Sequence, residues 1–209
     1  MGFVRVSSSS GLLEQGQDPF VICGANCYYL MTKHHEQCPE SKPFKVLESL
    51  KQMGINCVRT WAFSDGNTPS FLQPHPCFFD ESVFQSLDAI IAHCKDLGMK
   101  ILLELTNFWP DYGGMGQYVV WSRERREKTQ SLDTARVIED RDMLASHFYT
   151  DPFCQKLFRR FIEVLIRRRN SVTGTLYCED DTILGYGLAN EPRYAAVCHI
   201  CVPPHDYSY

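Results

Sequence analysis

Residues 185–193 read Gly-Tyr-Gly-Leu-Ala-Asn-Glu-Pro-Arg. Ile183, Leu184, Tyr186 and Leu188 form a short apolar run with the character of a buried strand. The run ends at Asn190 and Glu191, and Pro192, which has no N–H to give, stops the ladder. A glutamate at the mouth of a buried strand is badly placed for packing and well placed for the chemistry of an ionisable group. Taken alone, Glu191 also reads as a carboxylate that faces water or caps a following helix.

The ends of the other strand-like runs carry related residues: Asn26 with Tyr28 and Tyr29, Arg59 with Trp61, and Asn107 with Trp109. Aromatic and amide side chains interleaved with an arginine suit sugars, because flat apolar faces stack on pyranose rings and amides bind hydroxyls. A single tryptophan at a strand end is more often core than platform. Recurrence at successive strand ends favours a shared rim. Phosphate chemistry is not indicated: Asn26-Cys27-Tyr28-Tyr29 and Trp61-Ala62-Phe63 lack the glycines of a dinucleotide loop.

The elements that must position these residues alternate. Residues 19–23 read as a strand. Ser41-Lys42-Pro43 open a helix whose apolar positions are Phe44, Leu47, Leu50 and Met53, closed by Gly54. Residues 55–61 form the next strand. Asp80 caps a second helix with the stripe Val83, Phe84, Leu87, Ile90, Ile91, Cys94 and Leu97, ended by Gly98. Residues 101–105 are a strand, followed by an insertion over 106–150. Asp151-Pro152 start a third helix, and Arg167, Arg168 and Arg169 at its end complement the helix dipole as capping charge. Strand–helix alternation predicts a parallel sheet with crossover helices, either doubly wound or a (β/α)₈ barrel. Functional residues gathered at the C-terminal strand ends favour the barrel.

The 209 residues suffice for one domain with a substantial core, and 44% hydrophobic with 22% charged residues is an ordinary globular balance. A net charge of −4 gives no reason to expect nucleic acid or an anionic membrane as partner. No apolar run has the length of a membrane span, and the N-terminus shows no hydrophobic signal core. Met1-Gly2 does not read as a myristoylation site, because Val6 stands where Ser or Thr is required. Ten cysteines are many for a cytosolic protein. Cys57 and Cys94 occupy core-like positions, whereas Cys23 and Cys27 are either a redox pair or neighbours on a strand. They leave the compartment open.

The chain resembles the plant- and fungal-type endo-β-1,4-mannanases of glycoside hydrolase family five, a clan of (β/α)₈ retaining glycosidases. The resemblance runs from about Phe20 to Arg193. It rests on Gly24-Ala25-Asn26-Cys27-Tyr28-Tyr29-Leu30, Val58-Arg59-Thr60-Trp61-Ala62-Phe63-Ser64-Asp65-Gly66, and Asn107-Phe108-Trp109-Pro110-Asp111-Tyr112-Gly113-Gly114. It continues through Gln117-Tyr118-Val119-Val120-Trp121 and Arg168-Arg169-Asn170-Ser171-Val172-Thr173-Gly174 to Asn190-Glu191-Pro192-Arg193.

The resemblance implies that Glu191 is the general acid/base, with a pKa raised by burial and by a negatively charged partner. Asn190 would hold a sugar 2-hydroxyl, and Arg59 would lie beside the nucleophile. Trp61 and Trp109 would line the glycan cleft, and Arg193 would contact sugar on the leaving-group side. It implies a mannan-type polysaccharide substrate, no cofactor or metal, and an extracellular, secreted location. A related β-glucanase is the alternative enzyme.

The family's nucleophilic glutamate lies on the seventh strand, and here strand four ends near residue 193, so the expected fold is a (β/α)₈ barrel truncated after about the fourth strand. Residues 1–193 would form its N-terminal half. Glu104, inside the third strand, would point into the barrel interior or the helix layer, and Glu179, Asp180 and Asp181 precede the fourth strand at the opposite face. Open barrel edges would invite non-specific self-association, and an inactive or weakly mannan-binding product is the non-enzymatic alternative. Residues 194–209 do not continue the family pattern and read as a tail foreign to the fold, from an altered frame or a retained intron. Their Cys198, Cys201, His199 and His205 make at most a weak metal-ligand pattern.

Overall fold

The computed structural model describes residues 2–31, 43–66, 71–130 and 145–193. A small antiparallel meander comes first, made of β1 (Val4–Val6), β2 (Leu13–Gln15) and β3 (Asp18–Pro19). The main sheet follows: β4 (Gly24–Asn26), β5 (Cys57–Trp61), β6 (Lys100–Glu104) and β7 (Ile183–Gly187). These four strands lie side by side in sequence order and every pairing is parallel. Helices α1 (Pro43–Gln52), α2 (Glu81–Asp96), α3 (Gly114–Gln130) and α4 (Pro152–Ile166) occupy the connections. No described helix is long and apolar enough to cross a membrane.

Two expectations change here. The apolar run 19–23 is not the first strand of the sheet. Val21 and Ile22 are exposed, and the Asn56 side chain clamps this stretch, accepting from Cys23 N and donating to Val21 O. The strand proper is the short Gly24–Asn26, held in register opposite residues 57–59. The insertion 106–150 contains a helix, α3, whose Met115, Tyr118, Val119, Trp121 and Ser122 are buried. The Tyr118 ring meets Phe148 and Phe158 edge-on, which docks α3 on α4.

The helix starts are fixed by carboxylates, as the sequence predicts. Asp80 accepts from Ser82 N and Val83 N at the start of α2. Asp151 accepts from Phe153 N at the start of α4, with Pro152 in the first turn. Asp151 also accepts from Ser122 Oγ and Arg126 of α3, so one carboxylate caps one helix and holds another. Burial opposes its charge, but these donors together hold its carboxyl below the usual range.

Arg168 is not a capping charge. Its guanidinium is buried against Asp88 of α2, with Nε 2.9 Å from Oδ1 and Nη2 2.5 Å from Oδ2, and it reaches Glu81 as well. Asp88 further accepts from Tyr177 OH and from the N–H and hydroxyl of Ser171. This network ties α2 to the segment that leads from α4 into β7.

Strand parity then sorts the side chains. Val58, Ile101 and Leu103 join the buried apolar cluster with Leu47, Val83, Leu87 and Phe161 of the helices. Asn26, Arg59, Leu102 and Glu104 lie on the opposite face, in register with Gly185 and Gly187 of β7. Cys23 and Cys27 are free thiols that flank β4, one on either side, rather than lying on the strand. The tail 194–209, with its metal-ligand pattern, lies outside the described residues, as does Ser41.

Candidate active site

At the C-terminal ends of the parallel strands opens a cleft of about 440 Å³. Its walls are Asn26 at the end of β4 and Tyr28 beyond it, Arg59 and Trp61 of β5, Asn107, Trp109 and Tyr112 after β6, and Asn190 with Glu191 after β7. Five of the six residues singled out by the sequence therefore line one cavity, and Arg193 stands at its edge.

Arg59 is the hub. It donates from Nε to Glu104 Oε1 at 2.8 Å, from Nη1 to Asn26 Oδ1 at 3.2 Å, and from Nη2 to Asn190 Oδ1 at 2.8 Å. Asn190 in turn donates from Nδ2 to Asn107 Oδ1 at 2.9 Å. The backbone fixes the same pair: Asn190 N donates to Thr106 O and Phe108 N donates to Asn190 O. Each of the four strands, or the segment that follows it, thus contributes to a single polar chain of five side chains, and Arg59 has no freedom to leave it without breaking three hydrogen bonds.

Glu104 takes the first of the two directions expected for it, toward the barrel interior. Its side chain is only 6% exposed, and it points to the cleft side rather than to the helix layer. A buried carboxylate needs a cationic partner, and Arg59 supplies it. The parity of β5 and β6 carried this signal, since Trp61 pairs with Glu104 and Arg59 lies two residues before Trp61 on the same face. Within the described chain, Glu104 is the carboxylate that Arg59 bonds.

Glu191 sits in a left-handed backbone conformation, with φ of 43°, and its carboxylate is open to water. Its Oε2 accepts from Trp109 Nε1 at 2.9 Å and from Arg193 Nη2 at 3.3 Å. Arg193 also stacks its guanidinium 4.7 Å from the Trp109 ring centroid. The Trp109 N–H, then the positive charges of Arg193 and Arg59, hold the Glu191 carboxyl below its usual range. The expected raised pKa is not met in this arrangement: desolvation raises the carboxyl, but the Trp109 N–H and the two cations outweigh it, and no negative neighbour acts with it among the described residues.

The aromatics divide by exposure. Trp61 is nearly buried, packed against Tyr28 and Tyr112 with both centroids at 5.0 Å and against Phe63 at 5.2 Å. It stiffens the wall more than it offers a face. Tyr28, 44% exposed, and the half-buried Trp109 present ring surface to the cleft. The arrangement offers hydroxyl-binding amides, a fixed cation and a proton-exchanging carboxylate beside aromatic faces, which is chemistry suited to a neutral, ring-shaped, polyhydroxylated ligand.

Comparison with known proteins agrees with this geometry. The chain is 37% identical over 175 residues to mannan endo-1,4-beta-mannosidase 8 of Oryza sativa subsp. japonica, covering 84% of this chain and 43% of that protein. It is 37% identical over 195 residues to mannan endo-1,4-beta-mannosidase 1 of Solanum lycopersicum, covering 92% of this chain and 44% of that one. Among solved structures, a glycoside hydrolase family 5 mannosidase from Rhizomucor miehei superposes with a TM-score of 0.79 at 29% identity, over 92% of this chain and 50% of that chain. The chain spans less than half the length of these curated relatives. Its parallel strands and crossover helices are those of the (β/α)₈ glycosidases. Residues 1–205 match the glycoside hydrolase family 5 beta-mannosidase-like proteins, and the chain belongs to that family.

Proposed function

We propose that the chain carries the acid/base part of a retaining mannan endo-1,4-β-mannosidase that hydrolyses β-1,4-mannosidic bonds in mannan, galactomannan or glucomannan. The observation that carries the reading is the placement of Glu191 at the mouth of β7, next to an Asn190 bonded to Arg59 in an aromatic-walled cleft. In this reading Glu191 protonates the departing glycosidic oxygen and later activates water, while Asn190 holds a sugar hydroxyl. Trp61 shapes the cleft, Trp109 stacks on a sugar ring, and Arg193 contacts sugar on the leaving-group side. Retention also needs a second carboxyl about 5–5.5 Å from the first, as nucleophile. Reducing-sugar release from galactomannan, but not from β-glucan, that disappears in Glu191→Gln is the expected result. Release that survives the substitution overturns the assignment.

A second reading is binding of mannan without hydrolysis. It is favoured by the ionised state of Glu191 and by the engagement of Arg59 with Glu104. Retention on immobilised mannan without sugar release, lost in Trp109→Ala, distinguishes it from the first. Because the substrate is a polysaccharide too large to cross a membrane, either reading places the protein outside the cell. Non-specific self-association through the outer edges of β4 and β7 belongs to the same proposal, and light scattering at rising concentration tests it.

A further inference from the structure

We infer that Glu104 is a positioning residue of the cleft: by anchoring Arg59 it fixes which way the Asn190 amide faces, and hence which group that amide presents to a ligand. The inference rests on the reading of the cleft as a glycan site, and extends it to a residue with no contact to the ligand.

The argument starts from the register of the strands. Glu104 is the last residue of β6 and lies directly beside Gly187 of β7. A Cβ on Gly187 would overlap both carboxylate oxygens of Glu104, so β7 leaves this space open for the carboxylate. The carboxylate is thereby buried at one defined place, with Oε1 receiving Arg59 Nε. Since Nε is engaged from below, the two terminal nitrogens of the guanidinium point outward in a fixed plane, one to Asn26 and one to Asn190.

The consequence falls on Asn190. A carboxamide can place either its oxygen or its nitrogen toward a given neighbour, and the neighbours decide. Arg59 can only donate, so it selects Oδ1, and Nδ2 is then turned to Asn107 Oδ1. The second Nδ2 hydrogen remains for an oxygen of the ligand. Without the anchor, Arg59 is a partly solvated cation whose side chain, already 29% exposed, can swing to water. The amide of Asn190 then loses the partner that selects its orientation, and the cleft loses a fixed donor.

The test uses the full chain and mannohexaose, with binding followed by calorimetry and the side chains by NMR. Glu104→Gln keeps the shape and removes the charge. We expect it to weaken mannohexaose about tenfold in the otherwise unaltered protein, and less than about twofold in an Asn190→Ala background, because groups in one network do not act additively. Equal losses in the two backgrounds overturn the inference, since a general structural defect acts regardless of Asn190. The NMR arm is independent of glycan binding: Glu104→Gln must shift the Asn190 side-chain amide pair and broaden the Arg59 Nε–H. Unchanged Asn190 resonances overturn the inference. If the unaltered protein binds no mannohexaose, the glycan reading fails while the NMR arm still decides the positioning role. Should Glu104→Gln unfold, Glu104→Asp, which keeps the charge but shortens its reach, undergoes the same comparison with the same two outcomes.

Discussion

Replacing Asp88 with Asn tests the network that sets the approach to the active strand. Asp88 is fully buried and receives two bonds from Arg168, one from Tyr177 OH and two from Ser171. An Asn at this position keeps the volume but cannot accept at both terminal atoms, and it leaves Glu81 as the carboxylate partner of the Arg168 cation. Glu81 is 61% exposed, so its share is a solvent-screened pair worth about 0–1 kcal/mol. Removing one partner of a buried pair costs about 3–5 kcal/mol. For a chain of this size about 1 kcal/mol corresponds to roughly 2–4 °C in Tm, so a loss of roughly 6–20 °C is expected near neutral pH. The pH dependence supplies a second check. Burial opposes the Asp88 charge, but the Arg168, Tyr177 and Ser171 donors outweigh it and hold the carboxyl below its usual range. A lowered folded-state pKa stabilises above the unfolded value of about 3.9, and that stability disappears as pH falls through the folded value. Calorimetric scans of both proteins from neutral pH to below about pH 3.9 should show a gap that is constant at first and then closes. A gap under about 3 °C at neutral pH, or one that widens on acidification, refutes the reasoning.

Three further outcomes follow from the cleft. Trp109→Phe removes the donor that contributes most to holding the Glu191 carboxyl down. A carbon-13 titration of that carboxyl should therefore move upward toward the ordinary value of about 4.3. Gly187→Ala drives a methyl group into the Glu104 carboxylate and should cost about 1–3 kcal/mol in denaturant unfolding. In a Glu104→Ala background that cost should largely vanish, since the space is then free. Glu191→Gln should leave the unfolding midpoint within about 0.5 kcal/mol of the parent, because its carboxylate is at the surface, while removing sugar release from galactomannan.

The sequence was most informative where chemistry is local. Asp80 and Asp151 announce helix starts because a short carboxylate beside free N–H groups has few other uses, and both do cap. It was least informative where apolar content and burial part company. The run at 19–23 is hydrophobic yet largely exposed, and the real first strand, Gly24-Ala25-Asn26, has a single apolar side chain. Its place is decided by pairing with β5, which no local pattern records. Helix α3 was hidden for a different reason. Met115, Tyr118, Val119 and Ser122 keep helical spacing for two turns, but Arg123, Glu124, Arg125, Arg126 and Glu127 then dilute the stripe. Trp61 shows the limit of arguing from residue type: its strand-end position was legible, but its enclosure by Tyr28, Phe63 and Tyr112 was not.

The site poses a physical question that motif reading alone does not raise. All three groups acting most directly on Glu191, the Trp109 N–H and the Arg193 and Arg59 cations, stabilise its ionised form. A general acid must hold its proton until the leaving group takes it, so in the role proposed for Glu191 at least one of these influences would have to change when glycan binds. In the proposed function, a sugar ring stacked on the Trp109 face that Arg193 covers would compete with its guanidinium, and displacing Arg193 would remove a charge and a hydrogen bond from Oε2 together. Excluding water from the cleft acts in the same direction, because it turns an exposed carboxylate into a desolvated one. Arg59 cannot follow Arg193, since Glu104, Asn26 and Asn190 hold it in place. The two cations near Glu191 are therefore held differently: the exposed Arg193 side chain bonds Glu191 through Nη2, whereas Arg59 is fixed by three hydrogen bonds.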